Sequence, residues 1–248
     1  MDFAQSLSRK IARRLPVKRV PMRARRPVAS ITFDDFPKSA WTVGGPLLAR
    51  YGARGTYYTA GTFAGRTVDG IAYYDSGDLT ALRAAGHEIG CHGFGHQRVS
   101  SLSNAALKAD IARNTQFLRS FNGGEAPVSY AFPFGDTTVR TKLFYAHRFA
   151  TARGVHPGVN DGVLDLAQLR TIGIETYTWN DEKVARAIDH AKTANGWIVF
   201  HSHDVSENPS PYGCTPAMLE RVLKALTDAG IEILPVREAA RVATGDAA

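Results

Sequence analysis

The sequence predicts an α/β fold, a distorted (β/α) barrel of seven or eight parallel strands, and three observations lead there. From Pro27 onward, short β-branched and aromatic runs alternate with longer helical patterns, separated by the Gly, Asn, Asp and Ser clusters expected at turns. The 248 residues match the length such a barrel takes, typically about 250. Finally, Asp34 and Asp35, His92 and His96, Pro133 and Phe134, and His203 all fall just after predicted strands. That is the C-terminal face, where barrels build their active sites.

The elements follow in order. Val28 to Phe33 reads as the first strand, followed by a helical stretch around Pro46 to Tyr51 and a strand at Thr56 to Ala60. A helix from Leu79 to Ala85 leads to a strand at His87 to Cys91. Ser103 is placed to cap a long helix, whose Leu107, Ile111, Phe117, Leu118 and Phe121 approximate one apolar face. Val128 to Phe132 is the fourth strand, then come a helix over 138–148, a short strand near Phe149 to Ala152, and a strand around Arg170 to Ile174. A capped helix from Asp181 to Ala194 precedes the apolar strand Trp197 to Phe200. Thr215 followed by Pro216 is a cap with proline at the first helical position, opening a helix through Ala229, and Ile231 to Val236 is the last strand.

Composition narrows the function classes. With 44% hydrophobic, 21% charged and 10% aromatic residues the chain can bury a substantial core, and no apolar run approaches the roughly 20 residues of a membrane-spanning helix. Two cysteines make no disulfide framework and the N-terminus lacks an uninterrupted apolar leader, so a reducing, cytoplasmic compartment is expected. The formal charge of +7 is unevenly spread: residues 1–26 hold nine basic side chains against Asp2, a net of +8, while the remainder has 21 against 22, or −1. A basic segment on a balanced body argues against a nucleic-acid groove across the fold. The chain therefore divides into a basic amphipathic segment, 1–26, and a catalytic-type domain, 27–248. In the segment, Phe3, Leu7, Ile11 and Leu15 recur every fourth residue, the pattern of a helix that Pro16 stops, with Arg9, Lys10, Arg13 and Arg14 beside the stripe. Peripheral attachment to an anionic membrane and simple packing against the barrel are both open readings.

Three motifs carry chemistry. Thr32-Phe33-Asp34-Asp35 places adjacent carboxylates at the mouth of an apolar strand, where a lone Asp is as often a helix cap. Neighbours at a strand end point in opposite directions, so the two can take different tasks. His92-Gly-Phe-Gly-His96 sets two imidazoles four apart across a glycine-rich, tightly folding connection. One carboxylate with two histidines makes the three-ligand site with an open position that hydrolytic zinc centres use. Trp197 through Asp204 ends another apolar strand with His201 and His203, either of which can protonate a leaving group or simply be a satisfied core histidine.

The joint order of these pieces, with Phe132-Pro133-Phe134-Gly135-Asp136 between them and His203-Asp204-Val205 followed by Pro-Ser-Pro-Tyr-Gly213, resembles the NodB-like polysaccharide deacetylases, carbohydrate esterase family 4, in the branch acting on bacterial exopolysaccharides. The resemblance runs from about Val28 to Val236. It implies Asp34 as catalytic base, Asp35, His92 and His96 as ligands of Zn²⁺ or another divalent transition metal, and His203 as general acid. It further implies a backbone N–H near Phe134 for the oxyanion, so that phenylalanine in place of the tyrosine common in relatives is harmless, and the removal of N-acetyl groups from N-acetylglucosamine-containing saccharide with release of acetate. Phe132, Pro133, Phe134, Arg170 and Trp179 are the expected oxyanion or substrate contacts. Three positions depart from the family pattern: Phe36 stands where glycine usually follows the aspartate pair, Ala131 where many relatives carry an arginine that orients the base, and Glu175 with Trp179 where an Asp-x-x-x-Trp motif is usual. Arg170, on another strand, is the candidate to replace the missing arginine. An amide hydrolase of the same scaffold acting on a small formamide or ureide, a noncatalytic carbohydrate-binding module, and nucleic-acid binding through the basic segment are the rival readings.

Overall fold

The computed structural model describes residues 3–246, with side chains from residue 6 onward. Seven parallel strands close into a barrel: β1 (Val28–Phe33), β2 (Thr56–Thr59), β3 (Glu88–Cys91), β4 (Ser129–Ala131), β5 (Thr151–Pro157), β6 (Leu169–Gly173) and β7 (Trp197–Ser202), which returns to pair with β1. A short eighth strand, β8 (Glu232–Ile233), pairs with the lower half of β1, while β2 pairs with its upper half at Thr32 and Phe33. This wedge at the base is the distortion. Every residue of β1, β2, β3, β4 and β7 is buried, as expected for strands covered by side chains inside the barrel and by helices outside it.

The helices are α1 (Phe3–Arg14), α2 (Lys38–Thr42), α3 (Gly44–Arg50), α4 (Ser76–Ala84), α5 (Asn104–Arg119), α6 (Val139–Ala146), α7 (Asp181–Ala194), α8 (Pro216–Asp228) and α9 (Val236–Thr244). Local chemistry sets their starts: Ser103, Asn180 and Thr215 each accept a hydrogen bond from the backbone N–H three residues on, and Asp75 with Asp78 forms a capping box. α8 buries Met218, Leu219, Val222, Leu223 and Leu226 against the barrel, each such side chain contributing about 1.5–3 kcal/mol when fully covered. Among the described residues, no helix is long and apolar enough to cross a membrane.

Three boundaries differ from the sequence reading. The strand expected near Phe149 to Ala152 runs on through Pro157, because Arg153 is tolerated in the interior by a carboxylate partner. The expected strand Ile231 to Val236 is only two residues long: Pro235 has no N–H for a ladder, and Val236 instead opens α9, whose Val236, Ala239 and Ala243 pack with Val28, Trp197 and Leu164 to close the barrel floor. The 1–26 segment is folded onto the body, where Arg19–Pro21 pairs antiparallel with Val163–Asp165.

Candidate active site

Closure of the barrel creates the site. β1 and β7 run in register from Val28 opposite Trp197 to Phe33 opposite Ser202, so the next residue, Asp34, donates its N–H to the Ser202 carbonyl at 2.9 Å and sits beside His203. On the other side, Cys91 is opposite Tyr130, which sets His92 next to Ala131. Its Nδ1–H donates to the Ala131 carbonyl at 2.8 Å, and that bond fixes the tautomer so that Nε2 carries the lone pair.

Asp35, His92 and His96 converge, with one ligand atom from each lying within 4.8 Å of the others. The Asp35 Oδ1 lies 2.9 Å from His96 Nε2 and 3.2 Å from His92 Nε2, yet it is buried without a donor in hydrogen-bond geometry. Two imidazole nitrogens and a carboxylate oxygen, their lone pairs facing one point, fit a divalent transition metal such as Zn²⁺. Burial alone would raise the Asp35 carboxyl, but the two histidines hold it far below the usual carboxylate range.

The backbone here is strained in a consistent way. Among the described residues, four of the six non-glycine residues at positive φ are Asp35 (60°), Phe36 (58°), His96 (47°) and Phe134 (58°). Such conformations cost on the order of 1–3 kcal/mol each and cluster where a site must be aimed. They also account for the glycine that relatives carry at the Phe36 position. The Phe36 ring turns away from the cleft into the core, stacked on Tyr74 at 4.9 Å, so it does not narrow the opening. Between the two histidines, Gly93 (φ 71°) has no room for a Cβ, which would stand 2.7 Å from Asp110 Oδ2. Asp110, from α5, accepts the N–H groups of Phe94 and Gly95 at 3.0 and 2.8 Å and so pins this loop.

Asp34 pairs with Arg153 of β5, at 4% and 1% exposure respectively. Burial would raise Asp34, but the guanidinium, with His92, His203 and His201 nearby, holds it below its ordinary value and therefore ionised at neutral pH. Arg153 is opposite Ala131 in the β4–β5 register, so the arginine missing at 131 is supplied at the same level from the adjacent strand. Arg170 does not take that part: it is exposed and faces a separate cleft on the barrel flank with Arg13, Arg14 and His156. The sequence clue to Arg153 was a lone arginine among the small and apolar residues of Thr151-Ala-Arg-Gly-Val155, a setting that demands a buried carboxylate.

The cavity at this face measures about 710 Å³ and is lined by Asp34, Asp35, His92, His96, His201 and His203, among others. His203 donates Nδ1–H to the Tyr212 carbonyl at 3.2 Å, leaving Nε2 for a ligand. Asp204 builds that support: it accepts from Ser210 N–H and Oγ at 2.8 and 2.5 Å, and a Cβ at Gly213 would fall 2.3 Å from Asp204 Oδ1. The buried His201 lies 3.2 Å through Nε2 from Glu175 Oε1, and its Nδ1 has no partner. Burial and Arg153 lower its pKa against the opposing pull of Glu175. Glu175 thus serves His201, and also accepts from Thr178 Oγ1 at 2.9 Å.

The other expected contacts separate. Phe134 lines the cavity, its ring 4.5 Å from that of His96 with the Arg98 guanidinium 4.6 Å above it. Phe132 is a core residue packed against Tyr130 and Tyr145, and Pro133 is buried in the turn beneath; neither lines the cavity. Trp179 likewise packs against the core with Arg221 nearby, and the cavity wall in that stretch is Tyr177 and Thr178.

A family model for polysaccharide deacetylases matches residues 22–150, and the chain belongs to that family. Solved structures share the fold. A Mycobacterium smegmatis chain assigned to the polysaccharide deacetylases aligns with a TM-score of 0.64 at 18% identity, covering 93% of this chain and 95% of its own. A family 4 acetyl xylan esterase from Clostridium thermocellum, solved with a cobalt ion, gives 0.61 at 21% identity over 85% and 89%. The peptidoglycan deacetylase PdaC from Bacillus subtilis gives 0.54 at 17% over 88% and 92%. No curated protein matches the chain in sequence.

Proposed function

We propose that this deacetylase removes N-acetyl groups from N-acetylglucosamine residues of a bacterial exopolysaccharide or its oligosaccharide precursor, releasing acetate, with a divalent metal, Zn²⁺ foremost, held by Asp35, His92 and His96. The observation that carries the reading is the juxtaposition, in one open cavity, of that three-residue cluster with the Arg153-paired Asp34 and with His203. When bound, the metal supplies Lewis acidity at the scissile amide carbonyl and the attacking water. Asp34 accepts the proton of that water, and Arg153, engaged at Oδ1, keeps the carboxylate ionised and aimed. His203, held through Nδ1 by the Tyr212 carbonyl, presents Nε2 to protonate the departing amine. The backbone N–H of Phe134, a residue that lines the cavity, is the proposed donor to the oxygen that gains charge.

A polymeric sugar fits the rim better than a small formamide or ureide does. Three aromatic rings at the mouth, Phe134, Tyr177 and Tyr212, are largely exposed, Tyr177 at 75%, and are available to stack on sugar faces. With two buried free cysteines the chain suits the reducing cytoplasm, where an oligosaccharide precursor would be met before export. Acetate release from N-acetylglucosamine oligomers by enzyme reconstituted with Zn²⁺ is the test. Release that grows with oligomer length is expected; turnover of formamides or ureides with none of acetylated sugars would overturn the assignment.

A further inference from the structure

Helix α1 is mounted the wrong way round for a helix that ends at water. Its polar and small face is the one fixed to the body: Ser8 Oγ accepts the Val139 N–H at 3.2 Å, Arg9 Nε meets Asp136 Oδ1 at 2.9 Å, and Ala12 is fully buried. The buried Lys142 then donates to the carbonyls of Ala12 and Leu15, each at 2.7 Å, closing the end of the helix onto α6. Leu15 N–H still bonds to Ile11 O at 2.8 Å, so the helical path continues one residue past Arg14. On the neighbouring face, about 100° around the helix, Leu7, Ile11 and Leu15 form a stripe at 44–47% exposure. Phe3, the fourth member of the sequence stripe, lies outside the residues whose side chains are described. Ordinary surface helices bury such a stripe and show their polar face, so this one is built to meet something.

Charge says what. At about 100° per residue, Arg14 falls at the edge of the stripe and Lys10 about 60° outside it, while Arg13 lies on the far side of the helix; all three are exposed, and none has a carboxylate partner among the described residues. Beside the helix end, Arg13 and Arg14 line a cleft of about 460 Å³ with Arg170 and His156. The two acids there are already engaged, Asp165 by Lys142 and Asp161 by His190. Arg19, Arg23 and Arg25, further along the segment, are also exposed.

We propose that α1 is a docking helix that lays its Leu7–Ile11–Leu15 stripe into the surface of an anionic membrane, with Lys10 and Arg14 on the lipid phosphates. An apolar stripe flanked by uncompensated cations matches that surface, and a helix locked to the barrel by Arg9 and Lys142 carries the whole enzyme with it.

Co-sedimentation of the full chain tests this with vesicles of phosphatidylcholine alone or mixed with phosphatidylglycerol. Binding to the anionic vesicles only is expected, weakening at high salt as the charges are screened. The Leu7→Glu/Ile11→Glu/Leu15→Glu variant should lose at least about tenfold in binding, and so, with the apolar face intact, should Lys10→Gln/Arg14→Gln. Both alter side chains that face solvent, so an unchanged thermal midpoint accompanies the loss. Full-length protein left in the supernatant at low salt, equal binding to neutral vesicles, or undiminished binding by both variants would overturn the proposal. A dimer in sedimentation velocity that the glutamate variant dissociates would also overturn it, by showing a second copy on the stripe.

Discussion

Replacing Arg153 by methionine keeps much of the side-chain volume and removes the one guanidinium paired with Asp34. Both groups are buried, so the aspartate is left as a charge with its solvation already lost. Breaking such a pair typically costs about 3–5 kcal/mol. Without the guanidinium, burial pushes the Asp34 carboxyl up, toward the protonated form. In the native protein the folded-state value lies below the unfolded one, so Asp34 contributes stability that is present above the unfolded value and is lost as pH falls through the folded one. In Arg153→Met the sign reverses, because burial is then the dominant influence and favours the protonated carboxyl. The variant should be much less stable than wild type at pH 8 and recover toward it near pH 5. The acid limb of its activity profile should move to higher pH. Thermal unfolding of metal-free protein across that pH range, with the rate profile of the metal-loaded enzyme, reads both. A variant whose midpoint and acid limb follow wild type at every pH would refute the argument that Arg153 sets the state of Asp34.

Other outcomes follow from single contacts. Asp34→Asn should keep its metal and lose turnover by about 10²–10⁴-fold, the usual range for a general base, measured with metal content on the same sample. His203→Ala should lose turnover on acetamide strongly but less on an ester whose leaving group needs no proton, a comparison that isolates the acid role. Gly213→Ala pushes a methyl group into Asp204 and should shift the loop holding Tyr212, lowering the rate while metal content is unchanged. Lys142→Met leaves the Ala12 and Leu15 carbonyls without their donor, while Asp165 keeps the N–H groups of Val17, Lys18 and Ala167, so it should cost about 1–3 kcal/mol in denaturant unfolding and expose α1 to protease first. Truncation to residues 27–248 removes the two carbonyls that the buried Lys142 donates to and the Arg9 partner of Asp136, and should be destabilised as well.

The site was legible wherever chemistry coincided with a strand end. Asp34, Asp35, His92, His96 and His203 were all found by asking which reactive residues follow apolar runs, and the barrel brings those five around one cavity. The parallel, helix-covered sheet was readable for a related reason: β1 and β7 are mostly apolar, with Ser30, Thr32, His201 and Ser202 the polar members, as suits strands covered on both faces. Arg153 escaped because a charged residue followed by glycine reads as a turn, and only the tertiary partner Asp34 makes it a strand residue. Asp110 had no local signature as a loop anchor. It shares a face of α5 with Leu107 and Asn114, and that face is recognisable only once the His92–His96 loop lies over it. Arg170 and Trp179 were assigned by type without register. The side of β6 that Arg170 occupies depends on pairings with β5 and β7 that sequence pattern does not specify, and Trp179 lies past that strand, on the way to α7. Phe132 failed differently: two residues of offset from Phe134 within the same motif, across the turn at Pro133, exchange cavity for core.

Metal content measured by plasma mass spectrometry after exhaustive dialysis addresses the centre of this account most directly, compared across wild type, Asp34→Asn and His92→Ala. Stoichiometric divalent metal is predicted in the first two, and its loss, together with all deacetylation, in the third, because His92 offers Nε2 to the ion while Nδ1 is held by Ala131. His92→Ala protein that retains full occupancy and wild-type turnover would contradict the assignment of Asp35, His92 and His96 as the metal site.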